Sequence, residues 1–236
     1  MQRLPYQILP VLGALALFTG PALLATGGSQ PAPARAPAST LARPASPAKA
    51  PDADGFLRRW LLLEPIRVPG QLTEAAVQTA VKKDYFPNQL TVVPRDGDTV
   101  SVGDEAIAWH AVDTIAYNVN LFHFAYALNK PTSNVLFWAV TVVDAPRDMP
   151  GVRLAIGSNA ASIWWLNGEE VIDLYNDRQA VIDDGVSKRV TLRKGPNVVR
   201  AAVVNAGGAT DFCARFLDEK DTPVTGITVR LSADGK

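Results

Sequence analysis

The chain has few of the side chains that most hydrolases and metalloenzymes rely on. Its 236 residues contain one cysteine, Cys213, and only two histidines, His110 and His123. A single cysteine excludes an internal disulfide, and Cys213 is expected to be a buried small apolar residue. One cysteine and two histidines thirteen residues apart make no zinc spacing. There is no Gly-x-Ser-x-Gly elbow and no glycine-rich phosphate loop. Acid is missing from one end of the chain. Residues 1–51 carry Arg3, Arg35, Arg43 and Lys49 and no Asp or Glu, so the formal net charge of zero leaves 19 basic against 23 acidic residues in the remainder. A mildly acidic body argues against nucleic acid as a partner.

What the first 54 residues do contain is a targeting pattern. Arg3 is followed by an apolar run, Ile8 to Ala25, interrupted by Pro10, Gly20 and Pro21. A basic start, a short apolar centre and small residues at its end describe a secretory signal over residues 1–25. The alternative is an uncleaved N-terminal anchor, although the prolines and glycines shorten the continuous span below the ~20 residues a bilayer needs. Residues 26–54 are rich in Ala, Pro and Ser, with Pro31, Pro33, Pro37, Pro44, Pro47 and Pro51 closely spaced. Such a segment reads as a disordered linker, because it buries too little apolar surface to offset its ordering entropy. The expected location is secreted or periplasmic, tethered to the inner membrane if the signal is retained.

Residues 55–236 read as one β-sandwich domain. The only clear helical period runs from Leu72 to Phe86, where Leu72, Ala76, Val77, Ala80, Val81 and Phe86 recur at three- to four-residue spacing before Pro87. The rest alternates between short apolar runs and turn signals. Strands are expected at 109–113, 119–127, 135–143, 152–156, 162–166, 170–175, 189–193, 198–205, 211–217 and 226–231. About ten short strands without alternating βα units point to an all-β, antiparallel jelly-roll or sandwich with one short helix near its N-terminal side.

The most informative stretch is Ser162-Ile-Trp-Trp-Leu-Asn-Gly-Glu-Glu-Val171. Asn167-Gly168 is the dipeptide of a two-residue hairpin, since both turn positions need positive φ. That loop pairs Leu166 with Glu169, Trp165 with Glu170, Trp164 with Val171 and Ile163 with Ile172. Neighbouring side chains in a strand point to opposite faces, so Trp164 and Trp165 are separated. Ile163, Trp165, Ile172 and Leu174 then share the more aliphatic face, which places Trp165 inside. Two outcomes follow for the tryptophans. Either one indole is a platform for a sugar ring, with polar neighbours bonding its hydroxyls, or one lies in the inter-sheet core and the other under the helix or a loop.

Four other positions carry fragments of known chemistry. Gly97-Asp98-Thr99-Val100 looks like the Gly-Asp-Ser start of one esterase class, but threonine replaces serine and no Asp-x-x-His follows. Asp183-Asp184-Gly185 is a candidate contributor to a structural calcium site, or a solvated turn. Glu169 and Glu170 flank a hairpin tip, where a deep catalytic cleft is not expected. Arg178 and Arg200 are candidates for bidentate binding of a carboxylated sugar, or for pairing with Asp173, Asp177 or Asp183.

Several motifs in order resemble a known family. Ala125-Tyr-Ala127, Ile156-Gly-Ser-Asn159, Trp165-Leu-Asn-Gly168, Leu192-Arg-Lys-Gly-Pro-Asn197 and the strand from Phe212 to Leu217 look like those of galactose-binding-like jelly-roll modules. Such modules occur in exported bacterial carbohydrate-active proteins, and similar sequences are sometimes labelled acetylxylan esterase. The resemblance covers residues 105–220. It implies a strand at Ala125-Tyr-Ala127, with Trp164 inside and Trp165 outward, against the apolar count. The chain departs from the pattern at Ala160-Ala161, where the family carries Asp-Gly, so that loop has lost a carboxylate. The function expected from residues and resemblance together is non-catalytic binding of polysaccharide or a cell-envelope glycan, without a cofactor. Its candidate contacts are Trp164, Trp165, Asn159, Arg178, Asp183 and Asp184. The alternatives are a carbohydrate esterase and a periplasmic protein-interaction or structural module.

Overall fold

A computed structural model describes residues 41–232; the secretory signal expected at 1–25 and the expected linker as far as residue 40 lie outside them. In chain order the elements begin with β1 (Leu41–Ala42), β2 (Ala48–Lys49), β3 (Arg59–Leu63), β4 (Ile66–Arg67), α1 (Glu74–Lys82) and β5 (Thr99–Val102). They continue with β6 (Glu105–Thr114), β7 (Val119–Asn120), α2 (Leu121–Ala127), β8 (Val135–Ala145), β9 (Met149–Ser158) and β10 (Ala161–Leu166). The last are β11 (Glu169–Leu174), β12 (Gly185–Val186), β13 (Val190–Leu192), β14 (Gly195–Asn205), β15 (Asp211–Leu217) and β16 (Thr228–Arg230). No helix among the described residues is long and apolar enough to cross a membrane.

The strands form two antiparallel sheets, as the turn spacing led one to expect. The larger runs β1-β6-β3-β8-β14-β10-β11, and the smaller runs β12-β9-β15-β7 with β13 also on β9. One edge of the long strand β8 is shared by three short strands: β4 at Val135 and Leu136, β3 at Ala139 and Val140, and β16 at Val142 to Asp144. The two sheets enclose a core of Trp60, Phe137, Leu154, Ile156, Trp164, Phe212 and Phe216. A second core lies on the other face of the large sheet, where Val77, Ala80 and Val81 of α1 and Phe86 cover Trp109, Trp138, Ile163 and Trp165. Because the large sheet is covered on both faces, all six residues of β10 are buried.

That double cover decides the tryptophan question. Trp164 is fully buried between the sheets, edge-on to Trp60 and Phe212 at centroid distances of 6.1 and 5.3 Å. Its Nε1 donates to Ser162 Oγ at 3.0 Å. Trp165 stacks on Trp138 at 5.8 Å on the helix-covered face and is 8% exposed. The turn is as expected, with Asn167 and Gly168 at φ of 53° and 88°. The register is not. Leu166 faces Glu169 and Trp165 faces Glu170, but a shift between Trp165 and Trp164 then pairs Trp164 with Ile172 and Ile163 with Asp173. This β-bulge gives Val171 no partner of its own and moves Ile172 and Leu174 to the Trp164 side. The apolar count that placed Trp165 inside had assigned those two residues to the wrong face.

Two further expectations are corrected. The stretch 119–127 is a two-residue strand followed by a helix: Asn120 Oδ1 accepts the His123 N–H at 2.7 Å as an N-cap, and Leu121, Phe124 and Ala125 turn inward at helical spacing. The motif Ala125-Tyr-Ala127 is therefore helical. Residues 41–54, included in the expected linker, are part of the sandwich: β1 pairs with β6 and β2 with β16. The reason is a buried arginine. Arg59, 1% exposed, donates from Nε and Nη2 to both oxygens of Asp113 at 2.8 and 2.9 Å, and from Nη1 to the Ser46 carbonyl at 2.7 Å. Lys49 completes the group, 3.3 Å from Asp113.

Burial would raise the Asp113 carboxyl, but its bonds to Arg59 and the charge of Lys49 outweigh this and hold it below its ordinary value. At Glu64 burial is likewise outweighed, by Lys130 and His110. Carboxyls lowered in the folded state contribute stability that is present above their unfolded values and is lost as pH falls through the folded ones. Chemical denaturation is therefore expected to show stability declining below about pH 4, the ordinary carboxylate range, with a shallower decline in Asp113→Asn. At neutral pH that variant leaves the buried Arg59 charge without its counter-ion, and a loss of about 3–5 kcal/mol is expected. Trp164→Ala opens a cavity between the sheets and is expected to cost about 3–5 kcal/mol in the same assay.

Candidate functional site

Four of the residues singled out from sequence meet at one end of the smaller sheet. The turn between β9 and β10 is held by the Asn159 N–H donating to the Asp211 carbonyl at 2.8 Å and the Ala160 N–H to the Arg178 carbonyl at 3.3 Å. Arg178 pairs with Asp184. Asp183 receives both arms of Arg215, with Nε to Oδ1 at 3.0 Å, and this bond holds Arg215 more firmly protonated than usual. The segment carrying these acids lies directly on the sheet because Gly157 has no side chain; a Cβ there would stand 2.4 Å from the Val181 carbonyl oxygen. Cys213 is buried beneath it, its thiol pushed up to about 11 chiefly by that burial.

In this arrangement the expected contacts hold the molecule together. The carboxylates of Asp183 and Asp184 each have an arginine partner, and no group of three or more His, Cys, Asp or Glu suited to a metal occurs among the described residues. The two tryptophans named with them lie in the two cores, so neither presents an open ring. His110 Nε2 lies 3.2 Å from Glu64, which Lys130 also bonds at 2.8 Å, and the His110 ring packs edge-on to Phe124 at 5.6 Å. Thr99 is on β5, opposite Ala108.

A different set of residues forms a cleft. The β10–β11 hairpin tip and the start of β14 are stitched together through two asparagines. Asn167 Nδ2 donates to Asn197 Oδ1 at 2.9 Å, and Asn167 Oδ1 accepts the Val198 N–H at 2.9 Å. Asn197, buried, also accepts the Arg193 N–H at 2.9 Å and donates to the carbonyls of Arg193 and Gly195 at 2.7 and 3.0 Å. The Trp-Leu-Asn-Gly and Leu-Arg-Lys-Gly-Pro-Asn motifs are thus two halves of one structure. With Leu90 and Thr91 from the segment after α1, they border a cleft of about 320 Å³ lined also by Arg193, Pro196, Val198 and Arg200.

Arg200 is the unusual member. It stands on β14 between Val140 and Trp165, on the helix-covered face, and is 2% exposed. Its Nη2 donates to the Val92 carbonyl and its Nη1 is buried without an acceptor. The pairing with a nearby acid considered for Arg178 and Arg200 occurs at Arg178; at Arg200 a backbone carbonyl takes its place. Burial pulls the Arg200 guanidinium down to about 10. Sequence reading had named Arg200, Asn167 and the Gly-Pro-Asn turn separately. Nothing in the linear pattern showed that they share a cleft with Leu90 and Thr91.

No protein-family model matches the sequence, and no curated protein matches it. Solved structures do align. A β-glucosidase from Kluyveromyces marxianus matches at 19% identity and a TM-score of 0.40, over 67% of this chain and 16% of its own. The same enzyme in complex with glucose matches at 19% identity and a TM-score of 0.37, over 68% and 17%. The PA14 domain of the antifreeze protein MpAFP matches at 12% identity and a TM-score of 0.36, over 70% of this chain and 90% of that domain. The chain therefore spans about one sixth of the β-glucosidase. None of the three is an acetylxylan esterase, and that label has no support from them.

Proposed function

We propose that the chain is an exported, non-catalytic module that binds a polysaccharide or cell-envelope glycan at the hairpin-tip cleft. The observation that carries this reading is the composition of the cleft. Leu90, Pro196 and Val198 supply aliphatic surface for the C–H face of a sugar ring, and Thr91, Asn167, Arg193 and Arg200 supply polar groups at its border. Binding sites combine apolar lining with a few fixed polar groups in this way. The asparagine bonds fix the two turns before any ligand arrives, which lowers the ordering cost of binding. Export rests on the basic-then-apolar N-terminus, and no cofactor is invoked.

One observation favours a second reading, that of a periplasmic protein-interaction module. Val181, Ile182 and Val186 are 56%, 44% and 40% exposed on and after the segment that covers the smaller sheet, and exposed apolar groups of this kind serve protein contacts.

Affinity electrophoresis through gels containing soluble polysaccharides separates the two. Retardation is expected for the wild-type chain, weakened in Arg193→Ala and unchanged in Val181→Ser. A chain that migrates freely through every glycan gel, while a protein partner co-purifies with it in a Val181-dependent way, would replace the first reading with the second.

A further inference from the structure

Four arginines of the sandwich are paired with a carboxylate. Arg59 has Asp113, Arg178 has Asp184, Arg215 has Asp183 and Arg230 has Asp144. Arg200 is more buried than three of these four and has none: its hydrogen bond goes to the neutral Val92 carbonyl, and Nη1 has no acceptor. Two residues along the same face of the sheet, Trp138 stacks on Trp165 with its own Nε1 buried and unpartnered. At the cleft, Arg200 therefore carries a positive charge and a donor that the protein does not match. Arg193, exposed at the cleft border and in none of these ion pairs, adds a second cation.

A buried cation without a counter-charge is costly to the fold, and a guanidinium is the side chain whose planar fork matches a carboxylate. Uncompensated titratable groups beside a cleft are a mark of sites where a ligand supplies the missing charge. The small volume and aliphatic border of this cleft suit a charge carried on the sugar ring itself. Resting on the glycan reading above, we infer that the ligand is an anionic glycan, and that the carboxylate of a uronic-acid residue is received by Arg200 with Arg193 beside it.

Isothermal titration of the full chain tests this with three probes: an oligouronate, the same oligomer with its carboxylates reduced to hydroxymethyl groups, and a short peptide with a free C-terminal carboxylate. The oligouronate is expected to bind at least about tenfold more tightly than its reduced form, as the loss of one charge-assisted bond implies. Arg200→Lys and Arg193→Gln are each expected to remove about tenfold of that preference, and rising salt to diminish it. Arg193 is exposed, so Arg193→Gln tests the inference even where Arg200→Lys fails to fold. Equal binding of the oligouronate and its reduced form overturns the anionic inference and leaves glycan binding intact. Binding of the peptide with neither oligomer overturns both. Oligouronate binding that is indifferent to both substitutions overturns the assignment to this cleft.

Discussion

The β8–β14 ladder is the constraint on which the rest of the molecule depends. The two strands pair in register over eleven residues, from Gly195 with Ala145 to Asn205 with Val135, and from Val199 to Asn205 neither face of that ladder is open to water. One face looks across to β9 and β15, and the other is roofed by α1 and the segment that follows it. A strand with both faces buried cannot alternate apolar with polar residues, so β8 and β10, which flank β14, read as almost continuous apolar runs. The adjacent tryptophans of β10 follow from the same constraint. Each is needed, one on each side, and the pair that looked like a fold marker with a spare ring is one ring per core.

The same double burial gives the polar residues of the large sheet their character. A side chain that leaves β14 on the helix side enters an apolar interior, and Arg200 enters it without an acid to meet. Elsewhere charge is matched locally: Arg59 and Asp113 bind the start of the described chain to β6, and Arg215 and Asp183 hold a covering segment to the smaller sheet. The cleft forms where this matching stops. Its borders are rigid because Asn167 and Asn197 satisfy each other and the turn backbones around them, so the motifs that resembled a family are at once structural joints and the walls of the candidate site.

The legible parts of the fold were those set by local chemistry. α1 forms at Glu74–Lys82 within the apolar period expected from Leu72 to Phe86, with the Thr73 hydroxyl accepting the Ala76 N–H at 3.3 Å, and Asn167-Gly168 makes the turn its φ values require. The illegible parts were those set by competition. Val119 to Ala127 is so apolar that period 2 and period 3.6 both fit, and the Asn120 cap decides for the helix. Residues 41–54 have the composition of a tether, yet Ser46 and Lys49 gather on the Arg59–Asp113 pair. Of the candidate contacts, Arg178 pairs with Asp184, Asp183 pairs with Arg215, and Asn159 bonds through its backbone to Asp211.

By itself the sequence determined the all-β class, the antiparallel pairing around its turns, the hairpin with its two-residue loop, and the placing of Trp164 and Trp165 on opposite faces. These depend on backbone dihedral preferences and side-chain alternation, which act within a few residues. Which ring faces the inter-sheet core, where the bulge at Val171 falls, and the meeting of Arg200 with Leu90 and Thr91 were decided only by the tertiary structure. Each depends on what packs against the other face of a sheet, and that partner comes from a distant part of the chain.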